Sequence, residues 1–157
     1  MERTLILIKP DGVQRGLVGE VLRRLERKGL KLAGLKMMTL DEAVLREHYA
    51  HIADKSFYPG VESFMKSSPV VAVCAEGLEA VEAVRLITGI TKAREADAGT
   101  IRGDFAMSVA CNVIHASDTP ENAAKEVKRF FNPDELHSYD KSEYMHVYVE
   151  DERGEAR

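Results

Sequence analysis

The sequence predicts an α+β domain in which a four-stranded antiparallel sheet is flanked by helices. Four short apolar segments are typical of buried strands, and amphipathic segments with helical periodicity separate them. Their order is strand, helix, strand, helix, short helix, strand, helix, loop, strand and helix, which contains two β-α-β halves. Two such halves favour the split arrangement of a ferredoxin-like α/β sandwich. A small doubly wound parallel sheet is the alternative architecture.

The chain begins with a strand, a helix and a second strand. Arg3–Lys9 is rich in Leu and Ile and ends at Pro10-Asp11-Gly12, which indicates a buried strand followed by a turn. Leu17–Lys28 places its apolar residues on one face, and Gly29 follows as a helix stop. The partial alternation of Leu30–Leu40 predicts the second strand.

The middle of the chain places one strand between helical segments. A helix is predicted over about Asp41–Ala53, whose start has the residue spacing of a capping box. Ser56–Ser68 contains a short amphipathic stretch, which predicts one or two helical turns. Val70–Ala75 is the clearest buried strand, and Leu78–Ile87 is predicted to be a helix that ends at Gly89.

The last third combines a loop, a strand and a helix. Residues 89–104 carry charges and glycines without clear periodicity, which predicts a loop, and loops this long are usually functional or disordered. Phe105–Ala116 is apolar and strand-like near its end. Thr119 and Pro120 are suited to the N-cap and the first helical position, which predicts a helix to about Phe131.

Length and charge limit the class of protein. The chain has 157 residues, of which 45% are apolar and 31% are charged, as expected for one globular domain. We predict that residues 1–149 form this domain and that residues 150–157 form a charged C-terminal tail. The net charge of −4 disfavours specific binding of nucleic acid through a broad basic face, although it permits a small local pocket for anions.

The cysteines and the apolar runs indicate the compartment. Cys74 and Cys111 lie far apart in apolar stretches, so both are predicted to be buried free thiols. The first apolar run, Leu5–Ile8, is shorter than the roughly 7–15 residues of a secretory signal. It is also shorter than the roughly 20 residues of a membrane span. We therefore expect a cytoplasmic protein that has no membrane partner.

Basic side chains stand where several predicted elements end. His115 follows a strand-like segment and precedes a helix, a position that suits a nucleophile or general base, although a structural histidine is the ordinary alternative. Lys9 ends the first strand, Arg85 lies late in its helix and Arg102 lies among glycines. Together they predict an anion site. The other histidines are predicted at the surface or at an interface: His48, His51, His137 and His146.

Three linked motifs resemble those of the nucleoside diphosphate kinase family. The motifs are Lys9-Pro10-Asp11-Gly12-Val13-Gln14-Arg15-Gly16, Gly99-Thr100-Ile101-Arg102-Gly103-Asp104 and Asn112-Val113-Ile114-His115-Ala116-Ser117-Asp118. The resemblance runs from about Glu2 to Tyr148 and includes His48-Tyr49, Phe57-Tyr58-Pro59-Gly60 and Ser68-Pro69-Val70-Val71. It implies an enzyme that transfers the γ-phosphate of a nucleoside triphosphate, typically ATP, to a nucleoside diphosphate. The implied route is a ping-pong reaction through a phosphohistidine.

The resemblance implies a role for each matching residue. His115 resembles the nucleophile, Glu126 the residue that orients its imidazole, and Ser117 a further hydrogen-bonding group near the ring. The residues that match the phosphate and ribose positions are Lys9, Tyr49, Arg85, Thr91, Arg102 and Asn112. Phe57 matches the aromatic residue that stacks on the base, with Val61 beside it.

A cofactor and partners are also implied by the resemblance. Mg²⁺ is expected to arrive on the nucleotide phosphates, and no residue of the protein is expected to bind it as a ligand. The expected substrates are nucleoside triphosphates and diphosphates, including ATP, GTP and deoxynucleoside diphosphates. Family members form hexamers or tetramers. A homohexamer is expected here, and a homotetramer is the alternative.

The sequence departs from the family pattern at a few positions. Ala116 stands where the family often has Gly, a change that we expect to be tolerated. Lys92-Ala93 stands where relatives often have Asn-Pro, and Ala98 stands where they often have Pro, in a loop that contributes to subunit contacts. This departure therefore bears on assembly. The segment beyond Tyr148 is longer than in many relatives.

Two other functions are possible for a domain of this kind. A non-catalytic ferredoxin-like module would bind a nucleotide or serve as an interaction domain, but it would be expected to have lost part of the site. All the residues of that set are present: His115, Lys9, Arg85, Arg102, Asn112 and Glu126. Binding of single-stranded nucleic acid needs aromatic platforms, and only 6% of residues are aromatic. The sequence favours the enzyme.

Overall fold

The computed structural model describes residues 1–153, which contain a four-stranded antiparallel sheet flanked by helices. Its strands are β1 (Glu2–Ile8), β2 (Lys31–Met38), β3 (Val70–Gly77) and β4 (Ile114–Ala116). The strand order is β2-β3-β1-β4, and every neighbouring pair is antiparallel. This order confirms the predicted ferredoxin-like sandwich and excludes the doubly wound parallel sheet.

Of the nine helices in the described range, five fall close to their predicted positions, and the first, sixth, eighth and ninth were not predicted. The helices are α1 (Pro10–Gln14), α2 (Val18–Arg27), α3 (Glu42–His48), α4 (Tyr58–Lys66), α5 (Ala80–Thr88), α6 (Ile101–Phe105), α7 (Pro120–Phe130), α8 (Tyr144–Val147) and α9 (Glu150–Arg153). Thr119 caps α7 as predicted, because its side chain accepts the N–H of Asn122 and Pro120 occupies the first turn. None of the helices in the described range is long and apolar enough to cross a membrane.

The two central strands, β1 and β3, are buried on both faces of the sheet. Successive side chains of a strand point to opposite faces of the sheet. On one face, Ile6 and its partner Val73 pack into the core under α2 and α5. Leu7 and its partner Ala72 pack into a second core under α3, α4 and α7. The sheet therefore separates two apolar layers, and the continuous apolar runs of β1 and β3 follow from burial on both sides.

The segment predicted as a loop over residues 89–104 is more ordered than expected. It contains a 3-10 turn at Ala93–Glu95 and ends in α6. Thr100 caps α6 by accepting the N–H of Gly103 through its hydroxyl. A Cβ on Gly103 would lie 2.0 Å from the carbonyl oxygen of Asp97, so only glycine permits this close approach. The predicted loop is found over most of residues 89–100, whereas α6 was not predicted, because a helix set by caps and close contacts has no hydrophobic periodicity in the sequence.

The segment Phe105–Ala116 contains less strand than its apolar composition indicated. Only Ile114–Ala116 pairs with β1. The prediction that Cys111 is buried was also wrong, because a turn in which the Ser108 hydroxyl accepts the N–H of Cys111 leaves that residue exposed. Cys74 is a buried free thiol in β3, as predicted.

The C-terminal segment of the described chain packs against the domain before α9. The hydroxyl of Tyr148 accepts the N–H of Leu78, and Arg153 donates to the Tyr148 carbonyl at 3.0 Å. The first residues of the predicted tail form α9, and residues 154–157 lie outside the described range. The division between a domain at 1–149 and a tail at 150–157 stays a prediction.

Candidate active site

A strained turn directly before β4 sets the position of the site. Val113 has a φ of 71°, a conformation that is rare for a β-branched residue. The N–H of Ile114 donates to the carbonyl of Asn112 at 2.8 Å, which closes a three-residue γ-turn around Val113. Asp11 accepts the N–H of Val113 at 2.9 Å, and the backbone N–H of Lys9 donates to the Val113 carbonyl at 2.8 Å. The turn fixes where β4 begins.

His115 is the central residue of β4. Its neighbours Ile114 and Ala116 are buried, whereas the His115 side chain remains 24% exposed because alternate residues of a strand face opposite sides. His115 lines a cleft of about 770 Å³. The cleft brings together nine of the predicted site residues: Lys9, Tyr49, Phe57, Val61, Arg85, Thr91, Arg102, Asn112 and His115.

The other two predicted residues, Glu126 and Ser117, lie beside the imidazole. Nε2 of His115 is 3.1 Å from Oε2 of Glu126, and the Ser117 hydroxyl donates to the same oxygen at 2.6 Å. Burial favours a raised pKa for Glu126, but the hydrogen bonds and the His115 charge outweigh burial and lower the pKa to about 2. Glu126 is therefore a carboxylate, and when the His115 ring is neutral this contact favours the tautomer that has its proton on Nε2 and its free electron pair on Nδ1.

Lys9 follows β1 and its ammonium is anchored inside the cleft. Nζ donates to the Ala110 carbonyl at 2.7 Å and to Oδ1 of Asn112 at 2.8 Å. Asn112 in turn donates to the Thr91 carbonyl at 3.2 Å, so its amide orientation is fixed. Burial lowers the pKa of Lys9 to about 8, although the nearby Asp11 carboxylate opposes this shift. One of the three N–H donors of the ammonium is left for a ligand.

Arg102 is buried and joins the segments that form the cleft. Its guanidinium donates to the carbonyls of Gly89 at 2.9 Å, Ile114 at 2.6 Å and Asn112 at 3.4 Å. Burial, together with the charge of Arg85, lowers the pKa of Arg102 to about 10. Three of its five N–H groups are engaged in these bonds. Arg102 therefore holds the cleft in shape and has two donors left for an anion.

The remaining cleft residues lie on helices near its mouth. Phe57 precedes α4 and is exposed, and Val61 is one helical turn further along. Tyr49 ends α3, where burial raises the pKa of its phenol to about 12 and keeps it neutral. Arg85 lies in the last turn of α5 and is exposed to solvent. One part of the cleft lining is therefore apolar, with Phe57 and Val61, and another part carries cations such as Arg85.

His48 was placed at the surface by sequence reasoning, and that prediction was wrong. It lies at the end of α3 in the core, with its ring centroid 4.6 Å from that of His115. Burial, followed by the charge of His115, lowers the pKa of His48 to about 3 and keeps its ring neutral. The helical spacing from the buried Leu45 was the available signal. The other three histidines, His51, His137 and His146, are exposed as predicted.

Asp11 is a second residue whose part in the site was missed. It belongs to the first family motif but was not singled out, because its contact to the Val113 N–H joins residues 102 positions apart. Its other carboxylate oxygen is buried, and no hydrogen-bond partner for it is found within residues 1–153. The residue supports the strained turn.

The lining of the cleft has little to offer a hard metal ion. Within the described chain the lining contains basic, amide, hydroxyl and apolar side chains, and none of these is a carboxylate. Mg²⁺ prefers oxygen ligands and usually binds through carboxylates together with substrate phosphates. The donor set therefore fits an ion that arrives on a phosphate chain rather than one held by the protein.

Comparison with known proteins agrees with this geometry. The sequence model of the family described as nucleoside diphosphate kinase matches residues 2–136. The nucleoside diphosphate kinase of Parabacteroides distasonis is 48% identical over 152 residues, which cover 97% of this chain and 99% of that protein. Human nucleoside diphosphate kinase A is 50% identical over 138 residues, which cover 88% of this chain and 91% of that protein.

Solved structures show the same similarity in three dimensions. The halophilic nucleoside diphosphate kinase of Halobacterium salinarum, solved in complex with CDP, has a TM-score of 0.92 at 45% identity. That match covers 94% of this chain and 99% of the other chain. A nucleoside diphosphate kinase family protein of Babesia bovis also has a TM-score of 0.92, at 42% identity. The chain belongs to the nucleoside diphosphate kinase family and has that family's phosphotransferase activity.

Proposed function

We propose that His115 is the nucleophile of the family's ping-pong reaction and carries the phosphoryl group between two nucleotides. The observation that supports this role is the contact of Nε2 with Glu126 at 3.1 Å, which leaves the free electron pair on Nδ1 of a ring that lines the cleft. Nδ1 attacks the γ-phosphorus, the bond to the bridging oxygen breaks, and the nucleoside diphosphate leaves with that electron pair. A second nucleoside diphosphate then takes the phosphoryl group by the reverse step.

Glu126 and Ser117 are proposed as positioning residues. The carboxylate keeps the proton of His115 on Nε2 and stabilises the positive charge that the ring gains when Nδ1 is phosphorylated. The Ser117 hydroxyl holds the carboxylate by its 2.6 Å hydrogen bond. Because Glu126 is already ionised, the phosphoryl transfer requires no proton to move between the two side chains.

The cations of the cleft are proposed to bind the phosphates. Lys9 has one free N–H donor and Arg102 has two, and their other donors are fixed on carbonyl and amide oxygens. Such fixed donors need little reorganisation when charge develops on the transferring group. Arg85, Thr91, Tyr49 and Asn112 complete the phosphate and ribose contacts: these four line the same cleft.

A divalent ion is generally used by kinases that act on nucleotides, and we propose Mg²⁺ here. It would neutralise charge on the nucleotide phosphates. Lys9 and Arg102 would bind phosphate oxygens that the ion leaves free. The cleft lining fits this division, since its groups bind anions rather than cations.

The central test compares His115→Ala with Glu126→Ala. His115→Ala should abolish both turnover and the phosphoenzyme formed from γ-labelled ATP, because no other group of the cleft replaces the nucleophilic nitrogen. Glu126→Ala should lower the rate by roughly 10–100-fold without abolishing it, as expected for a group that orients the ring.

The label identifies the reacting group. Base-stable, acid-labile label on the unmodified chain is expected for phosphohistidine. Appreciable turnover in His115→Ala would overturn the assignment of the nucleophile. Complete loss in Glu126→Ala, equal to that in His115→Ala, would contradict a purely positioning role.

Base recognition is proposed to rest on stacking against Phe57, with Val61 beside it. Every nucleobase offers a π-face, so stacking discriminates weakly among bases. ATP and GTP should therefore both be donors, and deoxynucleoside diphosphates of either base class should be acceptors. Phe57→Ala should raise KM for all of them by a similar factor, of about 5–160-fold for a loss of roughly 1–3 kcal/mol. A strict preference for one base would contradict this model.

The lowered pKa of Lys9 predicts how nucleotide binding depends on pH. The pKa is about 8, below the ordinary 10.5, so the ammonium loses its proton from pH 8 upward. The dissociation constant for a nucleoside diphosphate should therefore rise above pH 8, by up to about tenfold per pH unit. In Lys9→Arg it should change little up to about pH 9, because a guanidinium keeps its charge there. Titration calorimetry measures the dissociation constant of both proteins across this pH range. An equal rise of the dissociation constant in Lys9→Arg would exclude Lys9 as the cause.

The assembly is proposed to be a homohexamer, with a homotetramer as the alternative. β2 is an edge of the sheet and carries exposed Leu35 and Met37, which suits contact with another chain. A further apolar group, Ile90, Met107 and Val109, is exposed around the 89–110 segment. Ala93 lies in the core, so this segment is anchored without the family prolines. Sedimentation equilibrium should give six chain masses, and a dimer or monomer would refute both assemblies.

A cytoplasmic location is proposed from the two free cysteines, since reduced thiols are typical of that compartment. Cell fractionation tests this location directly. Recovery of the protein outside the cytoplasmic fraction would contradict it.

A further inference from the structure

An aromatic ring lies against the ammonium of Lys9 inside the cleft. Nζ of Lys9 lies over the ring of Phe64, at 5.4 Å from the ring centroid. A cation within about 6 Å of an aromatic centroid is attracted by the negative charge of the ring face. Phe64 lines the cleft. Phosphoryl transfer and base stacking leave this ring without a role.

Phe64 shares one face of α4 with the residues proposed to bind the base. Phe57, Val61 and Phe64 are four and three residues apart, so they lie on one side of the helix, and all three line the cleft. Val61 and Phe64 are also partly buried against the second core, which limits the positions that the ring can take. One helix therefore presents an apolar face to the proposed base site and to the ammonium of Lys9.

A hydrogen bond ties α4 to the segment that carries Lys9. The side-chain amide of Gln14 donates to the Ser68 hydroxyl at 2.9 Å. Gln14 belongs to α1, which begins directly after Lys9, and the buried Ser68 follows the end of α4. The bond therefore helps to keep the Phe64 ring beside the ammonium.

We propose that Phe64 is a positioning residue that holds the ammonium of Lys9 in the place where it binds nucleotide phosphates. The inference rests on the phosphate-binding role proposed for Lys9, whereas the contact between ring and ammonium is independent of that role. The Ala110 carbonyl and Oδ1 of Asn112 engage two N–H groups of the ammonium. The ring attracts the positive charge as a whole, so the third N–H stays available for a phosphate oxygen.

The ring also favours the charged form of Lys9. Burial lowers the pKa of Lys9 to about 8, because the ammonium loses solvation in the folded protein. An aromatic face replaces part of that solvation, whereas an aliphatic side chain in the same place excludes water without attracting the charge. Without the ring, the ammonium should therefore lose its proton at a lower pH.

Other charged groups around the ammonium lie on different segments and stay in place when the ring is replaced. After burial, the Asp11 carboxylate of α1 raises the pKa of Lys9, the Arg102 charge of α6 lowers it, and Cys111 raises it when ionised. Three further titratable side chains line the same cleft: Tyr49, Arg85 and His115. Cys111 is an exposed thiol, so its own titration needs a control.

The test measures how the dissociation constant of a nucleoside diphosphate depends on pH, by titration calorimetry of the full chain. The unmodified chain should show the rise above pH 8. In Phe64→Leu the rise should begin about 0.4–1.5 pH units lower, which is the shift equivalent to losing one cation–π interaction. Phe64→Tyr keeps an aromatic face and should show the same onset as the unmodified chain.

Two control variants separate the ring from other causes. Phe57→Leu removes an aromatic ring from the same face of α4 and should weaken binding by one factor at every pH, without moving the onset. Cys111→Ser removes the thiol and should also leave the onset in place. An unchanged or raised onset in Phe64→Leu would overturn the proposal, as would an equal shift in either control or in Phe64→Tyr. Should Phe64→Leu fail to fold, Phe64→Met replaces it.

A Lys9→Arg background separates this proposal from the proposed function. A guanidinium keeps its charge in this pH range, so Phe64→Leu added to Lys9→Arg should produce no onset below about pH 9. An onset there would assign the effect to another group and overturn the positioning role.

The absence of any onset in the unmodified chain would instead contradict the phosphate-binding role of Lys9. The ring contact is then tested in the nucleotide-free chain by NMR titration of Lys9, isotope-labelled at Cε. A titration midpoint that falls in Phe64→Leu supports the contact, and an unchanged midpoint overturns it.

Discussion

The γ-turn at Val113 is the constraint on which the site depends. A β-branched residue at a φ of 71° is strained, so contacts from elsewhere must hold it there. Asp11 and the Lys9 backbone hold it from the end of β1, and Arg102 binds the carbonyls on either side, those of Asn112 and Ile114. The same groups thus position the turn, the start of β4 and the basic lining of the cleft.

The cleft concentrates positive charge in a chain whose net charge is −4. Burial of Lys9 and Arg102 lowers both pKa values, which shows that their charged forms lose solvation in the folded protein. Carbonyl and amide oxygens replace part of that solvation and leave a few N–H donors unused. An anion that accepts hydrogen bonds from those donors replaces the solvation that the charged side chains lose on folding. Net charge alone therefore says little about the ligand of a buried site.

The sequence predicted the parts of the fold that depend on local pattern. β1, β3, α2 and α7 follow from apolar runs, helical periodicity and caps, and all four are found. The structure of residues 89–113 was not predictable in this way, because it depends on polar contacts that leave no hydrophobic pattern. Arg102 donates to the carbonyl of Gly89, and the hydroxyls of Thr100 and Ser108 accept backbone N–H groups three residues further along. Lys9, Arg85, Arg102 and His115 were singled out because they stand where predicted elements end, and the other cleft residues came from family resemblance. His48 was missed because its surroundings are polar in sequence but aromatic in space.

Glu126 connects His115, the proposed nucleophile, to the core. One of its oxygens binds His115 and Ser117, and the other faces His48, so its carboxylate is contacted on both sides. A carboxylate held in this way stays ionised and keeps one tautomer of His115 in excess. The tautomer decides which ring nitrogen can react with phosphorus. A neutral His48 matters in this arrangement, since a second positive ring would compete with His115 for the same carboxylate. The burial of His48 therefore leaves the carboxylate of Glu126 to His115, which supports the role proposed for that ring.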